Sequence, residues 1–415
     1  MTNSSQFLTS LSQPEIDQLV ADRRHFHQHP ELAYNEARTA QVVAERLHSY
    51  DCEVKTAVGR TGVLGLLSAT KLAPRANSVS QPVGEVAAGR TLLYRADMDA
   101  LPILEANDVE YRSQNDGIMH ACGHDAHVAI ALAVANRIAA EREELRGNLK
   151  LAFQPAEEGG NGALAMIEDG ALEAPRVDAA VGLHVWNNFP VGTVGIYAGA
   201  MMAAVDEFAL TVHGVGGHGA LPQQTVAAVV VASQIVTALQ TVVSRNVSPL
   251  DSAVVTVGSF NAGTAFNIIA GSAQLRGTVR TFNRETHQSI PQMIERVIRG
   301  VCEAMGARYK LDYIRQTTPL VNNNEACELV AECAAEVVGA ENVIRDESVR
   351  TMGGEDMAYF LERVPGCYFF LGTRNEERGF VHPHHSPRFD IDESALPLGV
   401  EIMRLVIKRY LREAR

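Results

Sequence analysis

Leu151-Ala152-Phe153-Gln154-Pro155-Ala156-Glu157-Glu158-Gly159-Gly160 is the stretch whose reading decides this chain. A short apolar run of strand character gives way to two adjacent carboxylates. Like charges side by side in a cleft are unfavourable unless a cation or a proton compensates them. Adjacent residues also point in different directions, so one glutamate can ligate while its neighbour moves a proton. Working outward, His120-Ala121-Cys122-Gly123-His124-Asp125 lies upstream, and Gly182-Leu183-His184 and His384-His385-Ser386-Pro387 lie downstream. Thiolate, imidazole and carboxylate are the groups that bind divalent transition metals. A spare carboxylate beside such a metal is what water activation needs. The constellation reads as a metal-dependent hydrolase.

Each motif has a competing reading. Cys122 and His124 flank Gly123, whose freedom to turn lets both side chains reach one centre; the alternative is a buried cysteine near a helix cap. His120 and His127 stand close by in the sequence. His184 ends the apolar run Ala179-Ala180-Val181-Gly182-Leu183, where a lone histidine is more often a satisfied core residue. His382, His384 and His385 share a Pro-rich loop, and spacing alone does not choose among them. Thiol catalysis by Cys122 with a histidine base is the rival chemistry, but no cysteine-protease signature surrounds it. No nucleophile elbow supports a serine triad. Gly214-Val215-Gly216-Gly217-His218-Gly219-Ala220 lacks the Lys-Ser/Thr of a P-loop and reads instead as a flexible loop presenting His218.

The elements around these motifs suggest an α/β fold. Residues 14 to 50 have helical periodicity, broken at His29-Pro30-Glu31-Leu32. Val63 to Leu67, Thr91 to Arg95, Leu149 to Phe153 and Ala179 to Leu183 read as strands, and Ala126 to Arg142 as a helix. Ser68 to Gly89, rich in Ser, Ala, Pro and Gly, reads as a surface loop or hairpin extension. Asp97 and Asp99 follow one strand, Glu157 and Glu158 another, and His184 a third. Open α/β sheets bind ligands outside the carboxyl ends of their strands, so the motifs are expected in one crevice. The character changes near residue 203: strand Glu207 to His213, helix Val226 to Val243, strands Ala253 to Phe260 and Gln274 to Thr281, helix Thr286 to Met305 and strand Arg308 to Arg315. That succession suggests a ferredoxin-like α+β layer. Helix Glu325 to Val338 and strand Gly366 to Gly372 then resume the first pattern. The expected organisation is a catalytic domain over residues 1–202 and 318–415, interrupted by an inserted domain over 203–317.

Composition narrows the partners. At 415 residues the chain can bury more than one core. A formal charge of -13 argues against nucleic acid or an anionic membrane. No stretch reads as a bilayer span, and Met1-Thr2-Asn3-Ser4-Ser5-Gln6 has neither the basic residues nor the apolar region of a signal peptide. Six cysteines without framework spacing point to a reducing cytoplasm.

The motifs together resemble a family, the metal-dependent amidohydrolases that include hippurate hydrolases, auxin–amino-acid conjugate hydrolases and N-acyl-amino-acid aminoacylases, relatives of zinc carboxypeptidases. The resemblance runs from about His25 to the end. It rests on His27-Gln28-His29-Pro30-Glu31-Leu32, Arg95-Ala96-Asp97-Met98-Asp99-Ala100-Leu101-Pro102, Met119 to Asp125, Gln154 to Gly159, Gly217-His218-Gly219-Ala220, Ser244-Arg245-Asn246, Gly353-Gly354-Glu355-Asp356 and His385-Ser386-Pro387. It implies a zinc-peptidase-like catalytic domain with a ferredoxin-like lid and dimerisation domain. It implies Cys122, His124, Glu158, His184 and His385 as ligands of one or two divalent ions (zinc, manganese, cobalt or nickel). Glu157 would be the general base and acid, and Asp99 a carboxylate orienting the ligands. His218 would help stabilise an oxyanion, and Asn267 and Arg280 would meet the substrate carboxylate. The implied reaction splits a small N-acyl amino acid, in a homodimer or higher homo-oligomer formed through the lid. A metallo-dipeptidase or carboxypeptidase, and a non-catalytic binding protein on the same fold, are the other readings. One departure stands out: where the family commonly has Pro-His after Ala220, this chain has Pro222-Gln223, and an aspartate usual a few residues on is Ala227 or a neighbour.

Overall fold

The computed structural model describes residues 9–69 and 89–412, which divide into two compact units. The first unit runs to Gly199 and takes in Asn322–Val349 and the chain from Tyr359 onward; the second is Ala200–Val321 with Arg350–Ala358. The sequence places the expected breaks at 203 and 317 and runs the final part unbroken. The structure instead gives 350–358, with its Gly353-Gly354-Glu355-Asp356 motif, to the second unit. Met1 to Gln6 and most of the loop expected over Ser68 to Gly89 lie outside the described residues.

In chain order the first unit contains α1 (Gln13–Gln28), α2 (Ala37–Ser49), β1 (Glu53–Val58), β2 (Gly62–Ser68), β3 (Thr91–Asp97), α3 (His124–Ala140), β4 (Asn148–Gln154) and β5 (Ala179–Pro190). The second unit contributes β6 (Ala204–His213), α4 (Ala228–Thr241), β7 (Ala253–Ala262), β8 (Ser272–Thr281), α5 (Arg284–Ala304) and β9 (Arg308–Thr317). The first unit then resumes with α6 (Asn324–Val338), β10 (Gly366–Arg374) and α7 (Leu396–Arg412).

The sheet of the first unit runs β1-β2-β4-β3-β5-β10 and ends in the short strands Val194–Gly195 and Val343–Ile344. Strands β4, β3, β5 and β10 are parallel, while β2 pairs antiparallel with both β1 and β4. Every residue of β3 and β4 is buried, as expected of parallel strands covered on both faces. Helix α3 packs against β3, α1 and α7. It is lined with Ala, Val, Ile and Leu on nearly all sides and is correspondingly buried. His184 does not end its strand, because β5 runs on to Pro190 alongside β10. The pairing of β3 with β5 stops at Arg95 opposite Gly182, so His184 lies just beyond the point where its other neighbour leaves the sheet.

In the second unit the succession β-α-β-β-α-β makes one antiparallel sheet in the order β7-β8-β6-β9. Strand β6 alternates buried and partly exposed residues, the pattern of a sheet covered on one face. Phe208, Leu210 and Val212 from β6 share a core with Val231, Ile235 and Leu239 from α4 and Ile290, Ile294 and Ile298 from α5. The sequence reading found no stretch able to span a bilayer; Ala228–Asn246 is in fact a helix long and apolar enough to do so. Its buried residues, Ala228, Val231, Ala232, Ile235, Leu239 and Val242, face this core, and Ser233, Thr237, Gln240 and Ser244 bond back to carbonyls of their own helix. It has the composition of a sheet-covering helix.

Candidate metal centre

The carboxyl ends of β3 and β4 and the start of α3 bring the polar motifs of the first unit together. Gly123 caps α3 with φ of 90°, in the left-handed region. A Cβ there would lie 2.3 Å from Val185 Cγ2, so both the turn and the space require glycine. The turn leaves Cys122 and His124 on the same centre. Ligand atoms of Cys122, His124 and His184 lie within 4.8 Å of one another, as do those of Cys122, Glu158 and His385, and of His124, Glu157 and Glu158. The three groups share members, so the six side chains form one cluster.

A second layer of bonds sets each donor. His124 Nδ1 is 2.8 Å from the Asp99 carbonyl oxygen and donates to it. That places the lone pair on Nε2, which is buried and has no hydrogen-bond partner among the described residues. His184 likewise donates through Nδ1 to the Val185 carbonyl at 2.6 Å, and its Nε2 lies 3.5 Å from Cys122 Sγ. The two carboxylate oxygens of Asp99 accept the amides of Glu157 and Glu158, each at 3.0 Å. Asp99 therefore fixes one imidazole and both glutamates.

The loop after β10 separates the histidines that spacing alone does not decide. His385 has φ of 64°, its amide donates to the Ala121 carbonyl at 2.8 Å, and its Nε2 lies 3.1 Å from Glu158 Oε1. His384 instead spends Nε2 on the Val185 carbonyl at 2.9 Å and stacks on Trp186. Burial pushes His384 down to about 3, so it is a neutral packing residue. His127 is also committed: Nδ1 bonds Asp97 at 2.5 Å and Nε2 accepts the Val185 amide at 2.9 Å.

The electrostatics favour a cation. Burial opposes charge on His124, yet Asp97, Asp99 and Glu158 raise it to about 10. Those same carboxylates favour a cation at Nε2, and a bound ion would take the place of the proton there. Burial, with His127 and His384 beside it, pushes His184 far down, leaving the neutral imidazole that ligates. Burial and then Glu158 and Glu157 raise the Cys122 thiol well above its ordinary value. It gives up its proton only to a cation that replaces it. One sulfur, three imidazole nitrogens and a carboxylate, with an orphaned buried nitrogen and excess negative charge, fit a divalent transition metal.

With this geometry in hand, comparison with known proteins decides the family. Residues 93–409 match the profile of peptidase family M20/M25/M40. The chain belongs to that family. It is a hydrolase of amide bonds. It is 42% identical over 308 residues to an N-acyl-L-amino acid amidohydrolase of Geobacillus stearothermophilus, covering 74% of this chain and 78% of that one. It is 36% identical over 387 residues to thermostable carboxypeptidase 2 of Saccharolobus solfataricus, covering 92% and 93%. Among solved structures it superposes on the YXEP protein of Bacillus subtilis, described as a dinuclear metal binding peptidase from the M20 family. The TM-score there is 0.80 at 30% identity, covering 96% and 99%.

The remaining candidates lie in the second unit. The stretch expected to be a flexible loop is in fact anchored, with Gly217–His218 pairing antiparallel with Ile268–Ile269. A Cβ on Gly219 would stand 2.8 Å from the Asn267 carbonyl, so the close ladder explains that glycine. His218 and Asn267 are exposed and adjacent, joined by the Gly219 amide to the Asn267 carbonyl at 2.8 Å. His218 Nδ1 accepts the Ala220 amide at 3.1 Å, which leaves Nε2–H as the donor of this exposed ring. Arg280 is in β8, in register with Val205 and Val254, and is half-buried. The sequence assigns no role to Asp97, His127 or Glu36; Asp97 stands in a quoted motif, His127 only near one, and Glu36 has no signal.

Proposed function

We propose that this chain hydrolyses the amide bond of N-acyl amino acids, giving a carboxylic acid and a free amino acid. The observation that carries the reading is Glu157 beside a complete donor set, with its amide and that of Glu158 clamped on one carboxylate. The similarity to an N-acyl-L-amino acid amidohydrolase supports the substrate class. Cys122, His124, Glu158, His184 and His385 would hold one or two divalent ions; the likeness to a dinuclear peptidase supports two. A bound ion supplies Lewis acidity toward water and the amide carbonyl. Thiolate ligation suits zinc, with manganese, cobalt and nickel as the alternatives.

The chain's own groups then do the proton work. Glu157 takes a proton from the attacking water and passes it to the departing amine nitrogen, so that C–O bond formation and C–N cleavage balance. Asp99 holds Glu157 and His124 in register through the bonds described above. His218, with its Nε2–H free to donate, is the group we assign to the oxyanion of the tetrahedral intermediate. Asn267 and Arg280 are assigned to the substrate carboxylate. Residues 203–317 are read as the lid and as the surface of a homodimer.

The test is hydrolysis of hippurate and of acetyl and longer-acyl amino acids by metal-stripped protein, reconstituted separately with zinc, manganese, cobalt and nickel. Metal-restored cleavage of these substrates is the expected result. The likeness to a carboxypeptidase keeps a second reading in view. Cleavage of peptides with free amino termini in preference to acylated amino acids would replace the first reading with the second.

A further inference from the structure

Glu36 occupies the position just before α2, where a polar side chain such as aspartate or serine ordinarily accepts the first amides of its own helix. It makes no such bond. Glu31 caps the helix instead, accepting the amides of Arg38 at 3.0 Å and Thr39 at 2.8 Å. The buried Glu36 carboxylate is turned elsewhere. Its Oε1 accepts the amides of Ala156 at 2.9 Å and Tyr34 at 3.0 Å, and its Oε2 accepts the Thr61 hydroxyl at 2.5 Å.

Ala156 immediately precedes Glu157 and has φ of 52°, a left-handed conformation that residues with a side chain adopt reluctantly. Such a conformation persists only where the surroundings impose it. Here the Glu36 carboxylate holds the Ala156 amide, and the Gly162 amide holds its carbonyl at 3.2 Å. The far side of the turn is held from the same segment: the Tyr34 hydroxyl donates to the Gly160 carbonyl at 2.7 Å. The segment is tied to the end of β3 as well, through the Ala100 amide and the Glu31 carbonyl at 2.8 Å. Asp99 grips the middle of the turn and Glu36 its entrance.

We propose that Glu36 is a positioning residue for Glu157, holding Ala156 in the left-handed turn that aims the two glutamate amides at Asp99. This rests on reading Glu157 as the base. The charge of Glu36 is not what the turn needs, because both amides go to a single oxygen. A glutamine keeps that oxygen and can donate its amide nitrogen to Thr61. Burial, with Asp99 nearby, already pushes the Glu36 carboxyl upward.

The experiment compares Glu36→Gln, Glu36→Ala and Glu36→Asp with Glu157→Gln, all as holoenzyme, on N-acyl amino acids. A second readout is amide hydrogen exchange of the segment 154–162. Glu36→Gln is expected to keep kcat within about threefold and exchange unchanged. Glu36→Ala is expected to lower kcat on the order of tenfold to a hundredfold, as small misplacements of a reacting group do. KM should move little, and exchange should rise in 154–162 while α2 stays protected. Glu36→Asp, one methylene too short, should follow Ala and serves if the Ala protein does not fold. Wild-type kcat and exchange in the Ala or Asp protein, with Glu157→Gln inactive, overturn the proposal alone. Equal losses in Gln and Ala, matched by equal falls in melting temperature, also overturn it. An active Glu157→Gln protein overturns the base reading instead.

Discussion

The two units hold their candidate residues in opposite ways. In the first, Cys122, His124 and His184 are 9%, 1% and 4% exposed, and each imidazole is oriented by a backbone carbonyl. In the second, His218 and Asn267 are exposed and are held by a two-residue ladder. A metal ion requires donors fixed before it arrives, since burying excess negative charge without a cation is unfavourable. Of the groups we assign to substrate, His218 and Asn267 stay open to solvent. The difference teaches that the first site is set by the core of its unit and the second by a surface strand pair.

The largest expected effect separates the two directly. Chelation should abolish hydrolysis and should raise hydrogen exchange in 119–127, 154–160 and 182–186 of the first unit, while 204–317 exchanges as before. Equal loosening of both units would break the comparison. Next is Glu157→Gln, which should lower kcat by roughly a hundredfold to ten-thousandfold, the range of a positioned general base. Its metal content, measured by elemental analysis, should equal that of the wild type. A protein that loses both metal and activity would make Glu157 a ligand. Smaller again is His218→Ala, expected to lower kcat about a hundredfold as loss of one oxyanion donor does, with metal content and exchange in the first unit unaltered. Unchanged kcat would leave His218 with no part in the reaction.

The sequence carried much of the first site because apolar strands that stop in polar motifs announce where a sheet opens. Asp97, Asp99, Glu157 and Glu158 were each placed by that rule. What it did not carry depends on backbone direction and on neighbours far along the chain. His385 is set apart from His384 by a positive φ and by a bond to Ala121, neither of which adjacent letters reveal. His184 was read as a strand end because its partner β10 lies some 180 residues later in the chain. Segment 350–358 reads like its flanks, yet the Ala203 amide bonds the Gly353 carbonyl within the second unit. Glu36 looks like an ordinary helix-start acid, and only the carboxylate of Glu31 on α2 shows that the position is already served.

The smallest effect on catalysis concerns the His27 motif, which the resemblance included without a role. His27 is buried, with Nδ1 2.8 Å from Asp125 and Nε2 3.2 Å from Glu105. Asp125 also pairs with buried Arg23 at 2.9 Å, and Asp125 adjoins His124 in α3. Burial and Arg23 oppose a charge on His27, but Asp125 and Glu105 prevail and raise it to about 9. A histidine held above its ordinary value near 6.5 contributes stability in full below that pH and loses it as pH rises through about 9. The contribution is of order 3 kcal/mol. Lys150, pushed down to about 8 by burial, acts in the opposite sense at the upper end of that window, so the wild-type curve alone does not isolate the histidine. The difference between wild type and His27→Gln does. Denaturant unfolding should show that difference shrinking from pH 6.5 to 9, while kcat at neutral pH changes less than for Glu157→Gln or His218→Ala. A constant difference across the window would mean that His27 is neutral in the folded chain and that Arg23 alone balances Asp125. The buried charge beneath the metal centre would then be set one proton more negative, and the contrast with the exposed ladder of the second unit would sharpen further.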